Sequence, residues 1–253
     1  MIVVTGGAGF IGSNIVAGLE ASGAGPICVV DHLGTGDKWK NLRGRELEEL
    51  IDPAGLDAFL QERGREITYV IHMGAISATT ETDADLIVDN NLRLSQRIWR
   101  WCAGHDVPLI YASSAATYGD GARGFDDDGT PEALAKLVPM NPYGWSKHLF
   151  DRWVARSIAN HHANPPQWVG LKFFNVYGPN EHHKGNMRSV VLKNHGSAAR
   201  GEAVTLFRSH HPDYQDGGQM RDFVYVKDCE DVVLWLMENR GVSGLFNLGT
   251  GRA

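Results

Sequence analysis

The chain has 253 residues, 43% of them hydrophobic, and a formal net charge of −6, which is enough apolar material for one large α/β domain with a modest second lobe and too much for a disordered chain. An acidic balance without a basic run or stripe argues against nucleic-acid binding through phosphate neutralisation. Cys28, Cys102 and Cys229 are far apart, have no C-x-x-C spacing and read as core thiols of a reduced, intracellular protein.

Met1-Ile-Val-Val-Thr5 reads as a strand with no basic-then-apolar leader before it, and no apolar stretch approaches the ~20 residues of a membrane span, so the expectation is a cytoplasmic protein with no membrane partner. The turn Thr5-Gly-Gly-Ala-Gly-Phe-Ile-Gly12 follows, then a helical pattern over 11–22 and a second strand over 27–31. That is the first strand–helix–strand unit of a doubly wound sheet. Gly6, Gly9 and Gly12, with Gly7 offering the G-x-G-x-x-G variant, permit a tight turn and let the backbone approach a pyrophosphate, which the free N–H groups of the next helix stabilise. Asp31 ends the second strand about twenty residues on, where an acid binds an adenosine ribose hydroxyl. Its charge favours the free 2′-hydroxyl of NAD, whereas His32 and Lys38 in the next loop supply charge to neutralise a 2′-phosphate; the reading is NADP, with NAD as the alternative.

A helix is predicted over 54–63 and a strand over 68–72, which ends in His72-Met-Gly-Ala-Ile-Ser77. Gly74 and Ala75 there are small enough to admit the phosphates and ribose of a cofactor. A long helix is predicted over 83–104; its Ile98, Trp99 and Trp101 form an apolar stripe that serves either the core or an interface. The strand over 108–112 leads into Tyr111-Ala-Ser-Ser-Ala-Ala-Thr-Tyr-Gly119, where Ser114 is the hydroxyl placed on a reacting oxygen, with Ser113 and Thr117 beside it. The Asp126, Asp127, Asp128 run reads as a solvated loop.

Asn141-Pro-Tyr-Gly-Trp-Ser-Lys147 opens a helix predicted over 142–161. Tyr143 and Lys147 are four apart, so both emerge on one face. A phenol with a pKa of ~10 is a poor base at neutral pH, and a nearby ammonium and nicotinamide cation favour phenolate. Beyond the strand over 168–174, residues 179–224 break the alternation with loops rich in His, Gly and Asp, around a helix predicted over 187–200. Such a departure marks a substrate lobe laid over the carboxyl ends of the strands. The division expected is 1–178, joined by 225–253, as a dinucleotide-binding domain, with 179–224 as part of the lobe. A helix over 228–239 and a last strand over 245–248 end the pattern. An edge strand is normally covered by a helix, so a further C-terminal segment is expected beyond Ala253. The histidine pairs 161/162, 182/183 and 210/211 are adjacent residues whose side chains diverge, and no metal site is read from them. The fold expected is α/β, a Rossmann-type doubly wound parallel sheet with a smaller substrate-binding lobe.

The glycine turn, the Ser113-Ser-Ala-Ala-Thr-Tyr-Gly119 strand end, the Tyr-x-x-x-Lys pair and Arg221-Asp-Phe-Val-Tyr-Val226 resemble the extended short-chain dehydrogenase/reductase superfamily, whose members modify nucleotide sugars. Within it the chain most resembles the epimerases of ADP-linked heptose, through Asp89-Asn-Asn91, Phe174-Asn-Val-Tyr-Gly-Pro179, His183-Lys-Gly185 and Val242-Ser-Gly-Leu-Phe-Asn-Leu-Gly-Thr-Gly-Arg252, over the whole of the chain. That resemblance implies inversion of one exocyclic carbon of ADP-heptose with a resident NADP, in making the inner core of bacterial lipopolysaccharide. It implies Tyr143 and Lys184 as two acid/base groups, Lys147 as the helix lysine and Ser114 at the reacting hydroxyl. Phe10, Ile11, Asp31, His32, Lys38, Met73, Gly74, Ala75, Ile76, Ser77, Asn90, Lys147 and Val176 match cofactor positions. Ser114, Asn175, Asn186, Lys193, Phe207, Arg208, Ser209, His210 and Arg221 match substrate positions. It also implies a homo-oligomer, a pentamer in this family, and a segment past Ala253 that completes the lobe.

The chain departs from that pattern at Pro53, where some members carry a lysine near the cofactor, at His32, often Asn, and at Lys193 and Arg208, which replace other polar types. These departures touch the adenosine-phosphate contacts and leave the chemistry alone. Sugar 4-epimerisation on a UDP-hexose, or another nucleotide-sugar oxidoreduction, uses the same serine, tyrosine and lysine; the His183-Lys184-Gly185 loop is what favours the heptose. A 4,6-dehydratase needs an Asp-Glu pair where this chain has Ala115-Ala116-Thr117. A non-catalytic dinucleotide sensor is the alternative from another class, and it has no use for Tyr143 with Lys147.

Overall fold

The computed structural model describes residues 1–209, 212 and 214–252. In chain order the elements are β1 (Ile2–Thr5), α1 (Phe10–Ala21), β2 (Ile27–Val30), β3 (Glu49–Ile51), α2 (Leu56–Arg63), β4 (Tyr69–His72), α3 (Ala84–Ile87), α4 (Leu94–His105), β5 (Leu109–Ser114), α5 (Pro131–Leu134), α6 (Pro142–Ala159), β6 (Trp168–Phe173), β7 (Asn175–Tyr177), α7 (Val190–Ala199), β8 (Phe223–Tyr225), α8 (Val226–Glu238) and β9 (Gly244–Leu248). Seven strands form one sheet in the order β3-β2-β1-β4-β5-β6-β9, every neighbouring pair parallel. This is the Rossmann-type doubly wound sheet expected from the alternation.

Strand side chains alternate between two buried faces. Ile2 and Val4 of β1 pack with Ile15 and Leu19 of α1 and Val233 and Leu236 of α8. Val3 faces the other way, into a core made with Leu60 of α2, Trp99 of α4 and Phe150 of α6. Burial on both faces is why these strands read as unbroken apolar runs. The chain moves outward from β1 through β2 to β3, then returns to β4 on the opposite side of β1. Strand order therefore reverses between β1 and β4, and the connections leaving the carboxyl ends there diverge to opposite faces.

Three strands escaped the sequence reading. β3, β7 and β8 are each three residues long, too short to carry a period. β7 and β8 pair in parallel as a separate two-stranded sheet, so the chain leaves at Tyr177 and returns at Phe223 alongside itself. The helix expected over 83–104 is not continuous: a π-helical stretch, Val88–Arg93, separates α3 from α4. The helix expected from 187 starts at Val190, because the Ser189 hydroxyl accepts the Leu192 N–H at 3.1 Å and caps it. No helix among the described residues is long and apolar enough to cross a membrane.

The apolar stripe of the long helical segment is spent inside. Ile98 and Trp99 are buried, and Trp101 stacks on His105 with centroids 4.4 Å apart. Trp99, 0% exposed, meets Phe150 at 6.4 Å and Trp153 at 6.0 Å edge-on, and Trp168 at 5.7 Å. It thus joins α4, α6 and β6. Trp99→Ala is expected to lower the unfolding free energy by about 3–5 kcal/mol in urea titrations; a loss below about 1 kcal/mol would contradict this account of the core.

Candidate active site

A cleft of about 470 Å³ opens at the carboxyl ends of the central strands, lined by the turn after β1, the loop after β4, the end of β5, the start of α6 and the segment around Lys184. Its floor is the glycine turn. Gly6 has φ +67°, and a Cβ there would lie 2.6 Å from the Gly74 nitrogen; one on Gly12 would lie 2.2 Å from the Gly6 carbonyl oxygen. Only glycine allows the three backbones so close. Gly9 caps the twelve-residue α1 with no side-chain hydrogen bond from any described residue. The first-turn N–H groups are therefore left to an anion.

A buried chain of hydrogen bonds sets the next wall. Ser95 Oγ donates to the Asn91 carbonyl at 2.7 Å, so it accepts from His72 Nε2 at 2.9 Å. His72 Nδ1 then accepts from Thr5 Oγ1 at 2.6 Å, and Thr5 Oγ1 accepts from the Gly74 N–H at 3.1 Å. The imidazole must be neutral in this chain, and burial, aided by the Lys147 charge, pushes its pKa down to about 3. Asn91, inside the π-helical stretch, accepts from the Ile76 N–H at 2.8 Å and donates to the Ile76 carbonyl at 2.9 Å and to Ser146 Oγ at 3.0 Å. Ser146 Oγ in turn donates to the Tyr143 carbonyl at 2.7 Å. One asparagine thus ties the wall after β4 to the helix that carries Tyr143 and Lys147. Asn91 was not among the predicted site residues; its neighbour Asn90 was, and Asn90 donates to the Leu86 carbonyl and does not line the cleft. A polar residue on the core-facing side of an apolar helix was the available signal.

α6 starts where the sequence places it. Asn141 Oδ1 accepts the Gly144 N–H at 2.8 Å and Pro142 occupies the first turn. Lys147, 3% exposed, donates to the Ala112 carbonyl at 2.8 Å. Burial lowers its pKa to about 8, with the Asp151 charge opposing. Burial raises the Tyr143 phenol, while a hydrogen bond with Ser114 pulls it back and the Asp151 charge adds to the rise. In the protein alone, desolvation thus leaves the phenol raised, contrary to the lowering expected beside Lys147. Ser114 Oγ accepts the Ala116 N–H at 3.1 Å at the end of β5. Lys184 Nζ sits 5.3 Å from the centroid of the Phe10 ring, its pKa lowered by burial against the pull of Glu181. The Glu181 carboxylate, 1% exposed, accepts from the Ser189 N–H and hydroxyl, both at 2.7 Å, and from the Gly178 N–H at 3.3 Å, fixing the segment on either side of Lys184.

Asp31 accepts from the Ala8 N–H at 2.9 Å and from Lys38 Nζ at 2.5 Å. His32 is turned away in an exposed pair with Asp52, Nδ1 to Oδ2 2.8 Å. Of the predicted cofactor residues, all but His32, Ile76 and Asn90 line the cleft; of the predicted substrate residues, Ser114 lines it, and Asn175, Asn186, Lys193, Phe207, Arg208, Ser209 and Arg221 do not. Asn175 donates to the Asp222 carbonyl, Lys193 to the Asn186 carbonyl, and Phe207 is 67% exposed. His210 lies outside the described residues, as does the 210/211 pair. No group of metal-holding side chains occurs among the described residues.

The sequence matches the model of the NAD dependent epimerase/dehydratase family over residues 2–249. It is 50% identical over 258 aligned residues to an ADP-L-glycero-D-manno-heptose-6-epimerase of Nitratidesulfovibrio vulgaris, covering 100% of this chain and 77% of that one. The fold is similar to the crystal structure of the Helicobacter pylori ADP-L-glycero-D-manno-heptose-6-epimerase, with a TM-score of 0.80, 28% identity, 99% of this chain and 77% of that chain covered. It is also similar to a UDP-glucuronic acid 4-epimerase of Bacillus cereus in complex with NAD, with a TM-score of 0.78, 25% identity and coverage of 99% and 78%. A nicotinamide dinucleotide is the cofactor to which these findings point, and the side-chain-free glycine cradle at an uncapped helix start fits its pyrophosphate. Gly12→Ala is expected to weaken binding of that cofactor about tenfold or more by titration calorimetry; unchanged affinity would show that the cradle is not the pyrophosphate site.

Proposed function

The chain belongs to the NAD dependent epimerase/dehydratase family and is an enzyme of epimerase type; we propose that it inverts C6 of the heptose in ADP-D-glycero-D-manno-heptose to give the L-glycero epimer, a step of lipopolysaccharide inner-core synthesis. The observation that carries the reading is the meeting of Ser114, Tyr143, Lys147 and Lys184 in one cleft beside the glycine turn. Glycine-turn residues with Asp31 and Lys38 at one end, and Met73 to Ser77, Lys147 and Val176 farther along, would hold the cofactor. When bound, its nicotinamide supplies a reversible store for one hydride.

Inverting a carbinol carbon with no net oxidation requires proton exchange at its oxygen during both halves of the reaction, and a separate acid/base for each face is the economical arrangement. Ser114 orients the reacting hydroxyl. Tyr143, hydrogen-bonded to Ser114, exchanges its proton on one side. Lys147 as an ammonium favours the phenolate form of Tyr143. Lys184 is the second acid/base: burial lowers its pKa, which favours the neutral amine, and its arrival from a separate loop supports a two-sided exchange. Residues 1–178 with 225–253 are assigned to the dinucleotide, and 179–224 to the substrate lobe.

NADP is the cofactor we assign. The Lys38–Asp31 contact at 2.5 Å supports it, because the paired cation cancels the carboxylate that would repel a 2′-phosphate. Calorimetry should give NADP the smaller Kd, and equal constants for the two dinucleotides would overturn the assignment.

Mixing the protein with ADP-D-glycero-D-manno-heptose, without added cofactor, should yield the second epimer in the proton spectrum. Its absence with cofactor bound, together with turnover of a UDP-hexose, would move the assignment to a 4-epimerase. Lys184→Met should reduce turnover by about 10²–10⁴-fold. Turnover within about threefold of the parent would remove Lys184 from the acid/base role.

A further inference from the structure

Behind the Tyr143–Lys147 pair lies a buried carboxylate that the chemistry above does not use. Asp151 is one helical turn beyond Lys147 on α6, on the same face, and is 1% exposed. Its Oδ2 accepts from Ser113 Oγ at 2.6 Å and its Oδ1 from Tyr111 Oη at 3.3 Å. Both donors are on β5, immediately before Ser114. Lys172 on β6 is 0% exposed, its Nζ lacks a hydrogen-bond partner among the described residues, and it rests 4.0 Å over the Tyr118 ring. Asp151 is thus electrostatically coupled to two buried lysines. A buried set of three charges is a poor device for stability alone, since apolar side chains of similar volume usually do as well or better.

We propose that Asp151 is a positioning residue for the reaction, a buried carboxylate that keeps Lys147 in its ammonium form and anchors the Ser113–Ser114 strand end from behind. The inference rests on the reading of Tyr143 and Lys147 as the reacting pair. The groups that face Asp151 are Ser113 and Tyr111 from β5, Lys172 from β6 and Lys147 from its own helix; its charge is also felt at Tyr118 and Tyr143, and Asp127 shares Lys172. His148, next along α6, feels Lys172 and Arg152. The action runs through Lys147. Applied to Tyr143 directly, a negative charge opposes phenolate, so a direct role would hinder the base it is meant to help.

The signs are consistent at neutral pH. Burial raises the Asp151 carboxyl to about 6, with Lys172, Ser113 and Lys147 pulling it back, so above that pH it is ionised. Burial alone drives Lys147 down, and the ionised Asp151 holds it at about 8. Without that charge, the ammonium would begin to be lost at a lower pH.

Asp151→Asn is the variant to make, because both partners are hydroxyls that can reverse direction to suit an amide. The full chain is labelled with carbon-13 lysine and titrated by NMR, with Lys147 assigned by its disappearance in Lys147→Arg. The Lys147 midpoint is expected to fall by about one pH unit, a tenfold change, in Asp151→Asn. The alkaline limb of kcat should move down with it while KM is held. An unshifted Lys147 midpoint in the folded variant overturns the proposal. Should Asp151→Asn fail to fold, the reciprocal measurement decides: by linkage the same coupling acts on Asp151, so in Lys147→Met the aspartate that titrates at about 6 must titrate higher. An unchanged aspartate midpoint overturns the proposal equally. Neither titration needs a substrate, so a chain that shows the coupling but does not epimerise ADP-heptose loses the substrate assignment and keeps this one.

Discussion

Backbone meets backbone where the strand order reverses, and the site depends on that approach. The turn at Gly6 lies against Gly74 at the end of β4, and Gly12 in the first turn of α1 lies against Gly6. A Cβ at Gly6 would stand 2.6 Å from the Gly74 nitrogen and one at Gly12 2.2 Å from the Gly6 carbonyl oxygen, so side chains at these points force backbone apart. Their absence lets the open end of α1 face the cleft with its N–H groups unclaimed by any described side chain. It also brings Thr5 and His72 together in a dry interior, where the imidazole is tolerated only as a neutral link with both nitrogens satisfied.

Rigidity around this point comes from double use of single elements. α6 contributes Phe150 and Val154 to the core and presents Tyr143 and Lys147 to the cleft. Asn91 sits where the helix ladder widens to π geometry, a local irregularity often found at functional sites. Its amide makes three hydrogen bonds that hold two walls at a set separation. Buried polar groups of this kind cost desolvation and are recovered only when fully partnered. The site is therefore over-determined at its hydrogen bonds and marginal at its charges, where Lys147, Asp151 and Lys172 share one interior. Such clusters of displaced pKa values accompany chemistry more often than stability.

The two ends of the cleft are coupled by a single amide as well. Asn41 donates to the Ala8 carbonyl in the glycine turn at 2.9 Å and to the Asn180 carbonyl at 3.2 Å. The segment that carries Lys184 is thereby tied to the turn that would hold the pyrophosphate, and Phe10 of that same turn supplies the ring on which Lys184 rests. At the outer end Lys38 and the Ala8 N–H each take one oxygen of Asp31. A ribose hydroxyl placed there would meet a carboxylate already paired with a cation.

Much of the fold is legible in the sequence. Strands β1, β2, β4, β5, β6 and β9 are runs of apolar residues, and the helices between them repeat at 3.6 residues, because both signals are local consequences of backbone geometry. The glycine turn and the Tyr143–Lys147 spacing were legible for the same reason: a turn demands glycine, and a four-residue step puts two side chains on one helix face. The three-residue strands and the π-helical stretch were not, since neither has a period long enough to register. Nor were the contacts of Asn91 and Asp151, whose partners Ser146, Ser113 and Tyr111 lie in distant parts of the chain. Sequence by itself determined the layer architecture, the glycine turn and the placing of Tyr143 and Lys147 on one helix face. Only the tertiary structure decided that Asn91 and not Asn90 turns inward, that Lys38 spends its charge on Asp31, and that a carboxylate lies buried behind Lys147, because burial, and the choice of partner it forces on a polar group, are properties of how elements pack and are written in no single segment.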